Sequence, residues 1–189
     1  MEEGQVSMEG KTYRLPQPFM VLATQNPVET YGTYHLPEAQ MDRFLMKISM
    51  GYPEKEEELA ILRRSADAAP ANLSAVISLK EIVALKEKVE HIHISPRLEE
   101  YIVNLAEATR DSEYIRLGVS PRGSLALHRT ARAYAVLCGR DYVLPDDIKF
   151  LAPFVLTHRI IISPKGKSVL GSPEEVLAQL LRTLTVPTE

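Results

Sequence analysis

Residues 5–15 alternate polar and apolar side chains on either side of a turn: Gln5-Val6-Ser7-Met8, then Glu9-Gly10-Lys11, then Thr12-Tyr13-Arg14-Leu15. This period of two predicts a β-hairpin, with Gly10 supplying the positive φ that a tight turn needs. Pro16 and Pro18 stop it. Phe19-Met20-Val21-Leu22-Ala23-Thr24 is a continuous apolar run of the kind found in a strand buried on both faces. Gln25-Asn26-Pro27 ends the run in a turn. Pro37 to Phe44 predicts a short helix, and Phe44 to Met50 alternates weakly, as another strand does. Pro53 opens an acidic helix to about Ala68, whose leading glutamates suit the positive end of the helix dipole. Ala68-Ala69-Pro70-Ala71-Asn72 breaks the pattern and marks the expected domain boundary.

From there the period changes to that of helices. Ser78-Leu79-Lys80-Glu81 is a capping box. Ser95-Pro96, Ser120-Pro121 and Ser172-Pro173 each set a capping serine before a proline at the first helical position. Pro145-Asp146-Asp147 opens another helix, Gly139 ends the one begun at Pro121, and His158 to Ser163 reads as a short strand.

Composition narrows the class. In 189 residues, 45 % are apolar and 25 % charged, enough apolar material for a core. The net charge of −3 argues against general binding to a phosphate backbone. The single cysteine, Cys138, excludes an internal disulfide and a cysteine-rich zinc site, and fits a reducing compartment. Apolar runs are far shorter than the ~20 residues that span a bilayer, and Met1-Glu2-Glu3-Gly4 is no secretory leader. A cytoplasmic protein that uses no membrane is expected.

Gly10-Lys11-Thr12 imitates the end of a phosphate-binding loop, but the glycine required five positions earlier is Gln5, and no buried strand precedes it. The hairpin fits better. Asn26, after the apolar run, sits where ligands of open α/β sheets bind, or simply starts a turn. Arg43 closes a short helix; it either answers the dipole or reaches a phosphate on a neighbouring subunit. Arg122 and Gly123 are both unfavourable in a first helical turn. They make either an anion site, with the glycine admitting the anion closely, or a surface ion pair. His91 and His93 alternate around Ile92 on one expected strand face without a third metal ligand. Cys138 reads as a small buried apolar residue, and Arg129 with Arg132 as a solvated helix face. DNA binding by a helix-turn-helix around Arg122 to Arg132 is disfavoured by the charge.

Taken together, these stretches resemble one family. The block from Ala23 to Phe44, which reads Ala-Thr-Gln-Asn-Pro-Val-Glu-Thr-Tyr-Gly-Thr-Tyr-His-Leu-Pro-Glu-Ala-Gln-Met-Asp-Arg-Phe, is similar to the signature of MoxR ATPases, AAA+ proteins related to magnesium chelatase. The resemblance continues through Gly51-Tyr52-Pro53 and Gly118-Val119-Ser120-Pro121-Arg122 to about residue 185, with His35 where the family more often has proline. It implies an α/β remnant of a P-loop AAA+ core at 1–70, followed by an all-α lid at 71–189, mostly helical overall. In the family's terms, Asn26 matches the sensor-one residue that orients the attacking water. Arg43 matches the arginine finger, Arg122 the sensor-two arginine on an ATP phosphate, and residues 5–15 a hairpin directed at the ring pore. No metal-ligating residue is implied in this stretch.

The resemblance further implies a longer parent that binds ATP and Mg²⁺, assembles as a homo-hexameric ring and remodels partner proteins, often ones carrying a von Willebrand A domain. The Walker A and Walker B motifs expected before Met1 do not occur here. The chain is thus expected to be the C-terminal part of that parent, whether by truncation, a misassigned start or a broken gene, and to be inactive alone. Residues 75–185 are expected to fold as the lid, with residues 1–50 poorly ordered, paired between chains or dependent on a partner fragment. The alternative is a non-catalytic helical module that docks on an AAA+ ring as a regulator.

Overall fold

The computed structural model describes residues 4–25, 37–63 and 74–187. It begins with the expected hairpin, β1 (Gln5–Met8) and β2 (Lys11–Arg14), paired antiparallel with Met8 opposite Lys11. Glu9 and Gly10 form its two-residue turn, both with positive φ (52° and 78°), the geometry that matches strand twist. The Ser7 and Thr12 hydroxyls meet across it at 3.0 Å.

The apolar run that follows forms no ladder. Met20 is 76 % and Leu22 83 % exposed. A strand satisfies its backbone only against a neighbour, and no described residue supplies one. The strand expected at Phe44 to Met50 is absent for the same reason; instead the Lys47 amide donates to the Phe154 carbonyl at 2.8 Å. Two helices do form in this part, α1 (Glu38–Met41) and α2 (Lys55–Arg63), and neither buries a residue.

The core belongs to the second half. Here stand α3 (Leu79–Glu90), α4 (Pro96–Asp111), β3 (Ile115–Leu117), α5 (Pro121–Leu137) and α6 (Pro145–Leu156). A 3-10 turn (Thr157–Arg159), β4 (Ile161–Ile162), α7 (Pro164–Val169) and α8 (Pro173–Thr183) complete it. Helices α4, α5, α6 and α8 pack around Tyr101, Leu105, Leu127, Ile148, Leu156 and Leu177, and β3 pairs antiparallel with β4 beside them. The small residues Ala126, Ala131 and Ala135 let α5 approach its neighbours closely. None of the described helices is long and apolar enough to cross a membrane.

The caps follow the sequence closely. Ser78 and Glu81 exchange both bonds of the capping box, and the Ser95 and Ser172 hydroxyls accept from the amides of Leu98 and Glu175. Other expectations are corrected. His91 caps the end of α3 rather than lying on a strand, and His93 forms an isolated bridge with Tyr142. Cys138 is exposed, because α5 ends at Leu137 and the chain turns outward through Gly139 at φ 72°. Arg132 is no solvated charge: its Nε donates to the Ile92 carbonyl at 3.1 Å and its Nη2 to that of Glu90, at the carbonyl end of α3.

Candidate functional site

The segment before α5 is held by α4. The Thr109 hydroxyl accepts from the Val119 amide at 2.9 Å, and Arg110 Nε donates to the Val119 carbonyl at 2.8 Å. That fixes where Ser120 stands. Unlike Ser95 and Ser172, Ser120 makes no side-chain cap. Its hydroxyl turns away and donates to Asp42 Oδ2 at 3.2 Å. Asp42 ends α1, directly before Arg43. The two arginines singled out in the sequence therefore stand on two turns tied to one carboxylate. Arg43 is the next residue after Asp42, and Arg122 lies two after Ser120; both are exposed. Asn26, the third candidate, lies outside the described residues.

The centre of this junction is Arg159, whose side chain is only 2 % exposed. Its Nε donates to the Val155 carbonyl at 2.8 Å. Nη1 donates to the Asp42 carbonyl at 2.6 Å and to Asp42 Oδ1 at 2.9 Å. Nη2 donates to the carbonyls of Phe44 at 2.5 Å and Leu45 at 3.4 Å. All five guanidinium donors have an acceptor, as burial of such a group demands. The carbonyls left open at the end of a short helix need such partners. Burial pushes the Arg159 guanidinium below its ordinary range; Asp42 opposes that shift and the nearby Arg122 charge adds to it.

Gly123 explains how Arg159 fits. A Cβ at Gly123 would stand 2.5 Å from Val119 Cγ1 and 3.1 Å from Arg159 Cδ. The expectation that this glycine admits an anion is thus corrected: protein side chains fill the space. The sequence reading missed Arg159 and Asp42. A signal existed, since Arg159 interrupts the apolar run Val155-Leu156-Thr157-His158-Arg159-Ile160-Ile161-Ile162.

His158 lies against the same turn. The Phe44 carbonyl 3.0 Å from its Nε2 can only accept, so Nε2 carries the proton, and the buried Nδ1 has no hydrogen-bond partner. Burial pushes its pKa below the usual histidine range; the Phe44 bond opposes this, while the Arg159 and Lys47 charges add to it and Asp42 opposes it. The unfolded chain thus binds a proton at a pH where the folded chain does not. The resulting stability is fully present above the ordinary value near ~6.5 and falls as pH drops below it. His158→Gln is expected to reduce the loss of thermal midpoint between pH 7.5 and 5.5. An unchanged loss would count against the assignment.

Arg122 lies in the first turn of a 17-residue helix, the end at which backbone amides favour negative charge. Among the described residues no three His, Cys, Asp or Glu side chains are grouped to hold a metal ion. A cavity of about 260 Å³ lies elsewhere, between α4 and α8, lined by Asp111, Tyr114, Gln179 and Thr183 among others.

Known proteins agree with this architecture. Residues 1–46 match the model of an ATPase family associated with various cellular activities (AAA), and residues 107–180 match the AAA lid domain. A crystal structure from Cytophaga hutchinsonii, assigned as an ATPase, superposes with a TM-score of 0.87 at 39 % identity, over 99 % of this chain and 60 % of that one. The fold and these two segments are those of an AAA+ ATPase. The uncharacterized protein YeaC of Bacillus subtilis is 45 % identical over 100 % of this chain and 59 % of its own length. The chaperone MoxR1 of Mycobacterium tuberculosis is 39 % identical over 99 % of this chain and 52 % of its own. The chain is a homologue of MoxR-family AAA+ proteins, and it spans little more than half the length of these relatives.

Proposed function

We propose that this chain supplies the sensor, arginine-finger and lid part of an ATP-hydrolysing ring that remodels partner proteins. The observation that carries this reading is the junction at Asp42, which ties the turn of Arg43 to the helix start of Arg122. Arg43 would reach the γ-phosphate bound by a neighbouring subunit of a homo-hexamer, stabilising charge as it develops. Arg122, in the first turn of the helix tied to Asp42 through Ser120, would contact an ATP phosphate. Asn26 would orient the attacking water. ATP is the substrate; the ligands of its Mg²⁺ are not assigned to residues of this chain. The division into a core part at 1–70 and a lid at 71–189, partners with a von Willebrand A domain, and inactivity of the 189 residues alone belong to the same proposal.

One observation favours a second reading, a docking module without catalysis: among the described residues the buried apolar core runs only from Ile92 to Leu177. Calorimetric titration with Mg-ATP separates the two. This chain alone is expected to give no heat. The protein at the length of its relatives is expected to bind and hydrolyse ATP, and to lose affinity with Arg122→Ala. Failure of the longer protein to hydrolyse ATP overturns the first reading.

A further inference from the structure

We infer that Arg159 is a positioning residue for Arg43: it holds the turn that carries the finger in fixed orientation on the lid. The inference rests on the finger role proposed for Arg43. Arg159 stands 116 residues later in the chain and touches no nucleotide in that reading. Its fork gathers three carbonyls and a carboxylate of the turn 42–45, which follows a four-residue helix with no buried residue. A helix that short does not hold its own geometry in water. Its orientation must come from what it is bonded to, and Arg159 supplies most of those bonds. The Phe44 carbonyl takes a further donor from His158, and Asp42 a further one from Ser120.

The same contacts explain two local oddities. Ser120 leaves its cap empty to bond Asp42. Gly123 leaves the space in which the aliphatic stem of Arg159 lies. The finger turn, the 3-10 turn and the first turn of α5 therefore form one bonded unit, so movement of the Arg122 helix start carries Arg43 with it. A charge alone does not replace this arrangement. Lysine offers three donors from one point and cannot serve carbonyls at 42, 44 and 45 together.

The test uses the ring-forming protein at the length of its relatives, with kcat and KM for ATP measured on Arg43→Ala, Arg159→Met, Arg159→Lys and the double variant Arg43→Ala/Arg159→Met. Arg159→Met is expected to lower kcat at least tenfold with KM for ATP within about twofold, the pattern of a group that acts only in the transition state. Arg159→Lys is expected to fall between Arg159→Met and the unaltered protein. The double variant is expected to be no slower than Arg43→Ala alone, since a misplaced finger and an absent one are equivalent. An additive loss in the double variant, or full activity in Arg159→Met or Arg159→Lys, overturns the inference. Unchanged kcat in Arg43→Ala overturns the finger reading instead. Should Arg159→Met fail to fold, Asp42→Asn removes the charge at the partly exposed end of the same contact. It is then expected to lower kcat and, in combination with Arg43→Ala, to be silent; full activity in Asp42→Asn counts against the inference.

Discussion

Replacing Arg43 by alanine is expected to lower kcat for ATP hydrolysis about 10³-fold in the protein at the length of its relatives, because an arginine finger typically contributes 10³–10⁵. The expectation starts from where the side chain stands. Arg43 is exposed at the end of α1, while the residues on either side of it are bonded inward. Asp42 and Phe44 anchor the turn, and Arg43 between them is exposed, as the proposed finger role requires. Because such a group meets the phosphate most strongly when charge develops on it, the loss belongs in kcat, and KM for ATP should move little. Steady-state kinetics on assembled rings would decide it. A loss under tenfold, or a loss confined to KM, would remove Arg43 from the reacting centre.

Features made by neighbours in the chain were legible; features made across it were not. The capping box at Ser78 and Glu81 spans three residues, and the hairpin turn at Glu9-Gly10 spans two, so each shows as a local pattern. The Ser-Pro starts at Ser95 and Ser172 are of the same kind. Ser120 has an identical local signature, yet a carboxylate 78 residues earlier takes its hydroxyl. Arg159 and Asp42 are 117 residues apart, and nothing in either neighbourhood names the other. Gly123 was visible as a helical anomaly, but its cause was a side chain rather than a ligand. The apolar run at Phe19 to Thr24 shows the opposite failure. Its pattern is that of a buried strand, whereas its state depends on a sheet that no described residue provides. Arg43 and Arg122 stand out as candidates through family resemblance, and the structure adds that Arg43 follows Asp42 while Arg122 lies two residues after Ser120, which donates to the Asp42 carboxylate.

Asp147→Asn is expected to destabilise the lid strongly, costing about 3 kcal/mol of folding free energy. The Asp147 side chain is 6 % exposed and takes both ends of the Arg140 fork, at 2.6 and 2.8 Å. It also accepts from the Leu144 amide at 2.8 Å, at the start of α6. Asparagine fills the same volume but brings two donors toward a guanidinium that has only donors. It also leaves that cation, 20 % exposed, without its counter-charge. For a lid of this size the loss corresponds to a fall in thermal midpoint of about 10–20 °C. The pair Lys165–Glu113 serves as a control, since it is also 2.6 Å long, with side chains 54 % and 60 % exposed. Water replaces that contact at once, so Lys165→Ala should leave the midpoint nearly unchanged. Thermal unfolding of the two variants side by side tests whether burial, rather than bond length, sets the contribution of an ion pair in this lid. Equal shifts would contradict that account.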